Sequence, residues 1–495
     1  MLREAMIRPV RALVLVLALS LPALAGCITP PEDPVGTANA TARNLTSILP
    51  YMDLSEAHNH SDPADHRSSW NFETLGHSFL ADDPTKLGRY NQVAYRDGYA
   101  YVSAYRVPPT QQPGMIVVDV KDPAAPKVVG TYTTSYTTPI DVVLSEDGKY
   151  AFLAGHRNSA SNVIPQGCTG TQLGNVCPPF VPAGVIALDI TDPTNPREVA
   201  TYSSAPAGAH TVKYATIGGE GYVFIASYGL MQFRRIAPSV EIARFDGKSM
   251  EFVSRYFITD YLADPNSFVH DMWVEPEHAI LGKPLMYVAH WDAGVRIVDL
   301  SDIKNPREMA AWTEFDAATY GNIHFVRPAP TLIGGKHITV AAPEYGSAEH
   351  AGMMWVLDTT DPTKPELLGT WVMPGDPVSE GNYRYSPHNF EILPDGRLVY
   401  GHYHGGVWIL DIGTNETLAA PKVLGFTFPV PAEGEITDAM TFHEDAPNVW
   451  NAVWANPDEG LIVASDIQTG LYTLRFTMPE PGAVPPYEGL LEAEA

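Results

Sequence analysis

The chain has 495 residues, 45% of them hydrophobic and 10% aromatic, enough apolar mass for a large core. With 31 Lys and Arg against 57 Asp and Glu the net charge is −26, which argues against nucleic acid and anionic membrane surfaces as partners. Only three cysteines occur, and no P-loop, dinucleotide fingerprint or G-x-S-x-G elbow. Nothing therefore points to iron–sulfur, nucleotide, flavin or serine-hydrolase chemistry.

In chain order, Arg3, Arg8 and Arg11 precede an apolar run over residues 12–25. That run is too short to span a bilayer and reads as a signal peptide over residues 1–26. Leu24-Ala25-Gly26-Cys27 resembles a lipoprotein box, so Cys27 is the expected lipidation site. The expected location is extracytoplasmic, on the periplasmic side or the cell surface. The membrane is then a partner only through the lipid anchor, and a monomer is expected. Residues 27–70 lack apolar periodicity and read as a flexible stalk and N-terminal arm, and residues 479–495 as a disordered acidic tail. Cys168 and Cys177, in a Pro- and Gly-rich segment of an exported chain, are expected to form a disulfide across a surface loop.

Between these ends one line recurs. GMIVVDVKDPAAPKVVGTYTT from Gly114 is matched by GVIALDITDPTNPREVATYSS from Gly184, GVRIVDLSDIKNPREMAAWTE from Gly294 and MMWVLDTTDPTKPELLGTWVM from Met353. A looser copy starts at Gly406. Each is a strand ending in Asp (Asp119, Asp189, Asp299, Asp358, Asp411), then a turn, then another strand. Pro and Asp fix such turns by presetting φ and by accepting backbone hydrogen bonds. A calcium loop is the poorer reading, because the alternating oxygen ligands and the Gly of such loops are missing.

These lines resemble LVIVD repeats, which build β-propellers. The resemblance implies an all-β, seven-bladed propeller of four-stranded antiparallel blades over residues 71–478. Inner strands begin at Asn91, Asp141, His210, His270, His324, His388 and Asn451. The seventh blade runs out of chain after three strands, and residues 73–79 resemble the missing fourth. An N-terminal strand there would cover an otherwise open sheet edge.

Aligned this way, Asn91, Asp141, His210, His270, His324, His388 and Asn451 form one polar ring in the channel. The ends of the second strands add His156, His290, Glu344, His402 and His404 at the same mouth. The expected metal ligands are His210, His270, His324, His388, His290, His402 and His404, with Asn91, Asp141, Asn451, His156 and Glu344 lining the ring. Imidazoles with a carboxylate nearby suit copper, zinc or iron. His58 and His60 could cap the channel, while His66, His278, His337, His350 and His443 read as ordinary residues of turns, outer strands and inserted loops.

Selenium-binding proteins, which include methanethiol oxidases, are propellers with histidine-bound copper. Their W-x-x-G-x-x-R-x-x-D line is similar to Trp291, Gly294, Arg296 and Asp299 here, and it implies no catalytic role for those residues. The functional expectation is a transition-metal site, with oxidoreductase chemistry as its use. The alternative is a non-catalytic surface scaffold whose loops bind a protein, glycan or small molecule.

Overall fold

Seven antiparallel sheets stand in a ring in the computed structural model, which describes residues 69–81, 89–105, 112–134, 137–157, 183–204, 208–227, 238–258, 268–347, 350–375, 384–429 and 447–485. The inner strands are Arg89–Arg96, Thr137–Leu144, Val212–Ile217, Asp271–Glu275, Phe325–Pro328, Phe390–Ile392 and Val449–Asn456. Each packs beside the inner strand of the next blade, and the last packs beside the first. Phe72–Ser78 pairs antiparallel with Gly470–Phe476 and is the outer strand of the seventh sheet. Ser69–Trp70, which carries no strand signal in the sequence, pairs with Lys422–Thr427 as a fifth strand on blade six.

The core lies between blades rather than inside any one of them. Both faces of a blade are buried, so the middle strands are largely apolar: Leu285–Ala289 and Ile338–Ala342 are buried at every residue. Large side chains close the gaps, as where Phe152 stacks on Tyr214 at 5.0 Å and Phe325 meets Phe390 edge-on at 4.7 Å. A bulge recurs between the two outer strands of each blade, for example at Ile297/Val298 and Val356/Leu357, and turns the outer edge by local twist.

The turn chemistry of the repeat is visible atom by atom. Oδ1 of Asp119, Asp189, Asp299, Asp358 and Asp411 accepts from the N–H two residues on, at 2.7–3.0 Å. These carboxylates are spent on their own turns, as the sequence suggests. The repeat's glycine has a separate reason: a Cβ on Gly130 would meet the Pro193 carbonyl oxygen of the next blade at 2.3 Å, and one on Gly76 would meet that of Pro123 at 2.5 Å.

Residues 1–68 lie outside the described residues, as do Cys168 and Cys177 and most of the expected tail. The expected signal peptide, Cys27 anchor, stalk and disulfide therefore fall outside them too.

Candidate metal centre

His210, His270, His324 and His388 each sit just before or at the start of the inner strand of their blade, numbers three to six. Their four blades are consecutive, so the rings fall in a row. His156 comes from the second strand of blade two and extends the row. Ring centroids are 5.0 Å apart for His156–His210, 4.2 Å for His210–His270, 4.0 Å for His270–His324 and 4.4 Å for His324–His388. All but His156 are fully buried, and so is Glu344, which follows the second strand of blade five.

Glu344 faces this row. Its Oε2 lies 3.6 Å from His270 Nε2 and 4.0 Å from His324 Nε2. Donor atoms of His270, His324 and Glu344 all fall within 4.8 Å of one another. Two ligands about 2.1 Å from a tetrahedral ion are about 3.4 Å apart, so an ion would require only a small closure.

The hydrogen bonds decide which nitrogens are available. His210 shares protons on both sides, through Nδ1 with His156 Nε2 at 2.9 Å and through Nε2 with His270 Nε2 at 2.7 Å. His388 Nδ1 donates to the Trp450 carbonyl at 2.8 Å, which places the lone pair on Nε2. That Nε2 and both ring nitrogens of His324 have no hydrogen-bond partner among the described residues. A buried polar atom left in this state costs about 1–3 kcal/mol.

Burial holds the imidazoles of His156, His210, His324 and His388 neutral, the form that binds metals. It pushes His388 down to about 3 and His156 down to about 4, the latter helped by the neighbouring His270. His210 and His324 are driven well below the usual histidine range by burial and then by His270. Burial alone would push the Glu344 carboxyl up. The facing His270 and the Arg384 guanidinium outweigh it and hold Glu344 at about 2. His324 and His388 therefore offer neutral nitrogens beside the Glu344 carboxylate, a donor set suited to a first-row divalent ion.

Two of the expected ring residues sit elsewhere. Asp141 and Asn451 lie one residue further along their strands than the histidines, whereas Asn91 stands two residues before Val93 as His270 stands two before Met272. Asp141 pairs with Ala154 as Asp271, not His270, pairs with Ala289. The cause is an irregularity in each of these two inner strands, at Pro139/Asp141 and Val449/Asn451, which shifts the register by one. All three polar groups latch blade to blade. Asn91 donates to the Pro139 carbonyl at 3.2 Å, Asn451 to that of Val93 at 3.2 Å, and Asp141 accepts from Val212 N at 2.9 Å. Lys213, which the sequence reading passed over, bridges Asp271 at 2.8 Å and Asp141 at 3.6 Å.

His290, His402 and His404 do not enter the closely spaced donor group. His290 and His402 open equivalent turns, their N–H groups donating to the carbonyls of Gly294 and Gly406 at 3.0 and 2.8 Å. The His402 ring packs toward Trp371 and Tyr400. His404 Nδ1 accepts from Arg384 N at 2.9 Å and so orders the segment that carries Arg384.

Aromatic residues that the sequence did not place at the channel mouth frame the cluster. Trp291 stacks on His270 at 5.3 Å, Phe268 stacks on Trp291 at 4.7 Å, and Trp450 lies 4.3 Å from His388. Arg384 lies over the rings of both Tyr345 and Tyr403, at 4.4 and 4.7 Å.

A second group, Glu275, His278 and His337, lies at the far end of the same blades. His278 and His337 lie outside the strands, and both are buried. His337 links Glu275 at 3.0 Å to Thr359 at 2.7 Å. His278 Nδ1 accepts from the N–H groups of Ile280 and Leu281, both at 3.2 Å, so its proton sits on Nε2. That nitrogen then has no lone pair for a metal. The group ties blade four to blade five.

Fold and site together define a class: a seven-bladed β-propeller with a buried imidazole–carboxylate cluster at one mouth. The LVIVD repeat model matches residues 88–134 and 284–313, in blades one and four, so the seven-bladed β-propeller carries LVIVD repeats. Among solved structures it is similar to a protein from Lactobacillus plantarum, with a TM-score of 0.50 at 10% identity, covering 78% of this chain and 96% of that one. It is also similar to a periplasmic gluconolactonase of Pseudomonas aeruginosa, with a TM-score of 0.50 at 12% identity, covering 80% and 94%. At such identities the likeness shows the fold alone. No curated protein matches the chain in sequence.

Proposed function

We propose that this chain is an extracytoplasmic metalloprotein, tethered through Cys27, that holds one copper, zinc or iron ion at the channel mouth and uses it in oxidoreductase chemistry. His270, His324, His388 and Glu344 would hold the ion. An ion on His270 Nε2 would take the place of that atom's hydrogen bond to His210, which is itself hydrogen-bonded to His156. A bound ion would supply Lewis acidity there or, for copper or iron, one-electron chemistry.

One observation carries the reading. His324 is buried between His270, His388 and Glu344, and neither of its ring nitrogens has a hydrogen-bond partner among the described residues. Structural histidines in cores are normally satisfied on at least one side, as His337 is here. The Pseudomonas lactonase lends nothing to the choice of substrate, since only its fold is shared.

The test is elemental analysis of the mature protein after metal-replete refolding, beside His270→Ala and His324→Ala. One transition ion per chain, lost in both variants, is the expected result. A folded wild-type protein without stoichiometric metal would leave the surface-scaffold reading in its place.

A further inference from the structure

Two turns at the mouth are built alike. In His290-Trp291-Asp292-Ala293-Gly294 and His402-Tyr403-His404-Gly405-Gly406 the first N–H donates to the last carbonyl. The second residue of each has a positive φ, 46° at Trp291 and 45° at Tyr403. Large aromatic residues rarely adopt that conformation, which costs on the order of 1–3 kcal/mol and persists only where the surroundings over-determine it. Here a pair of backbone hydrogen bonds to the next blade does so. Trp291 exchanges N–H and carbonyl with Ile323 at 3.1 and 3.3 Å, and Tyr403 with Val449 at 3.0 and 3.0 Å.

The strained backbone delivers the ring into the mouth. From blade six, Tyr403 packs against His388 at 4.9 Å, and its hydroxyl donates to Glu344 Oε1 at 3.0 Å. Arg384 Nη1 adds a longer contact to the same oxygen at 3.4 Å. The other oxygen, Oε2, faces His270 and His324. The two carboxylate oxygens therefore have different surroundings, one engaged from blade six and one turned to the imidazoles.

We propose that Tyr403 is the positioning residue of the centre: by engaging Oε1 it makes Glu344 a one-oxygen ligand through Oε2. This rests on the metal reading above. Without the hydroxyl the carboxylate can rotate, to chelate through both oxygens or to turn away. The number and geometry of ligands then change although no ligand has been removed.

The experiment titrates Co(II) into the wild-type protein, Tyr403→Phe, Glu344→Gln and the double variant, reading affinity by chelator competition and the visible absorption bands. Phe keeps the ring and its packing, and equal thermal unfolding of the metal-free proteins checks the fold. The expected result is one Co(II) per wild-type chain, with Tyr403→Phe 10–100-fold weaker and its bands shifted. In the Glu344→Gln background the second substitution should add less than a further threefold loss. Wild-type affinity and bands in Tyr403→Phe would overturn the proposal while leaving the metal site standing. A wild-type protein that binds no Co(II) would overturn both.

Discussion

The Nδ1 of His388 donates to the main-chain carbonyl of Trp450 across the joint between blades six and seven, at 2.8 Å. One backbone oxygen thus fixes the tautomer and leaves Nε2 as a buried lone pair beside His324. Metal-binding histidines are commonly oriented in this way. Here the orienting group belongs to the ring closure of the fold, so the state of the site depends on how neighbouring blades meet.

Removing an imidazole that has no hydrogen-bond partner among the described residues should relieve the metal-free fold. His324→Leu is expected to raise the unfolding free energy of chelator-treated protein by about 1–2 kcal/mol, because it replaces unsatisfied buried nitrogens with an apolar group. It should also abolish any stabilisation by added metal. Urea titrations with and without metal check both. A loss of more than about 2 kcal/mol in the metal-free variant would mark the ring as structural.

Acid should unfold the metal-free protein early. Burial pushes His388 and His402 down to about 3, and His156 and His290 down to about 4, with His210 and His324 also depressed. The unfolded chain takes up protons near pH 6.5 and the folded chain does not. Stability is therefore complete above about pH 6.5 and declines toward pH 4, each group contributing up to about 1.4 kcal/mol per pH unit. Glu344, held at about 2 against an ordinary 4.5, extends the loss below pH 4.5. Asp141, which burial pushes up, works in the opposite sense. Denaturant midpoints measured from pH 7 to 4 should fall steadily, and a flat profile down to pH 5 would show that these rings are not held neutral.

Lys213 sits between two buried carboxylates, Asp141 and Asp271. Lys213→Met leaves Asp141 and Asp271 uncompensated and should cost about 3–5 kcal/mol. Asp141→Asn and Asp271→Asn added together should recover most of it. Recovery is the informative arm: if the triple variant stays as unstable as the single one, the lysine stem rather than its charge holds the channel.

Gly130 marks the seat of one blade on the next. In Gly130→Ala the new methyl meets the Pro193 carbonyl, and the expected loss is about 1–3 kcal/mol. Thermal unfolding measures it directly, and an unchanged midpoint would mean that the turn of blade two shifts freely.

The blades were legible because the repeat carries its turns in its composition. Asp and Pro at fixed places after an apolar run have one local solution, and the Asp119, Asp189, Asp299, Asp358 and Asp411 turns all adopt it. The histidine row followed from the same register wherever inner strands are regular, in blades three to six. It failed at Asp141 and Asn451, since an irregular step is a local backbone event that no residue type there announces. Glu344 could be found from its place after a second strand. Tyr403 could not, because nothing in its identity predicts a left-handed backbone, and Arg384 reaches the site from a connection with no repeat to align it.

The central claim is tested most directly by anomalous diffraction from crystals of the metal-loaded protein, recorded at the absorption edge of the bound metal. The account predicts one strong peak about 2.0–2.2 Å from His324, His270 and Glu344 Oε2, with His388 Nε2 turned toward it. A peak elsewhere, such as between Glu275 and His337, or none in crystals soaked with saturating metal, would contradict it.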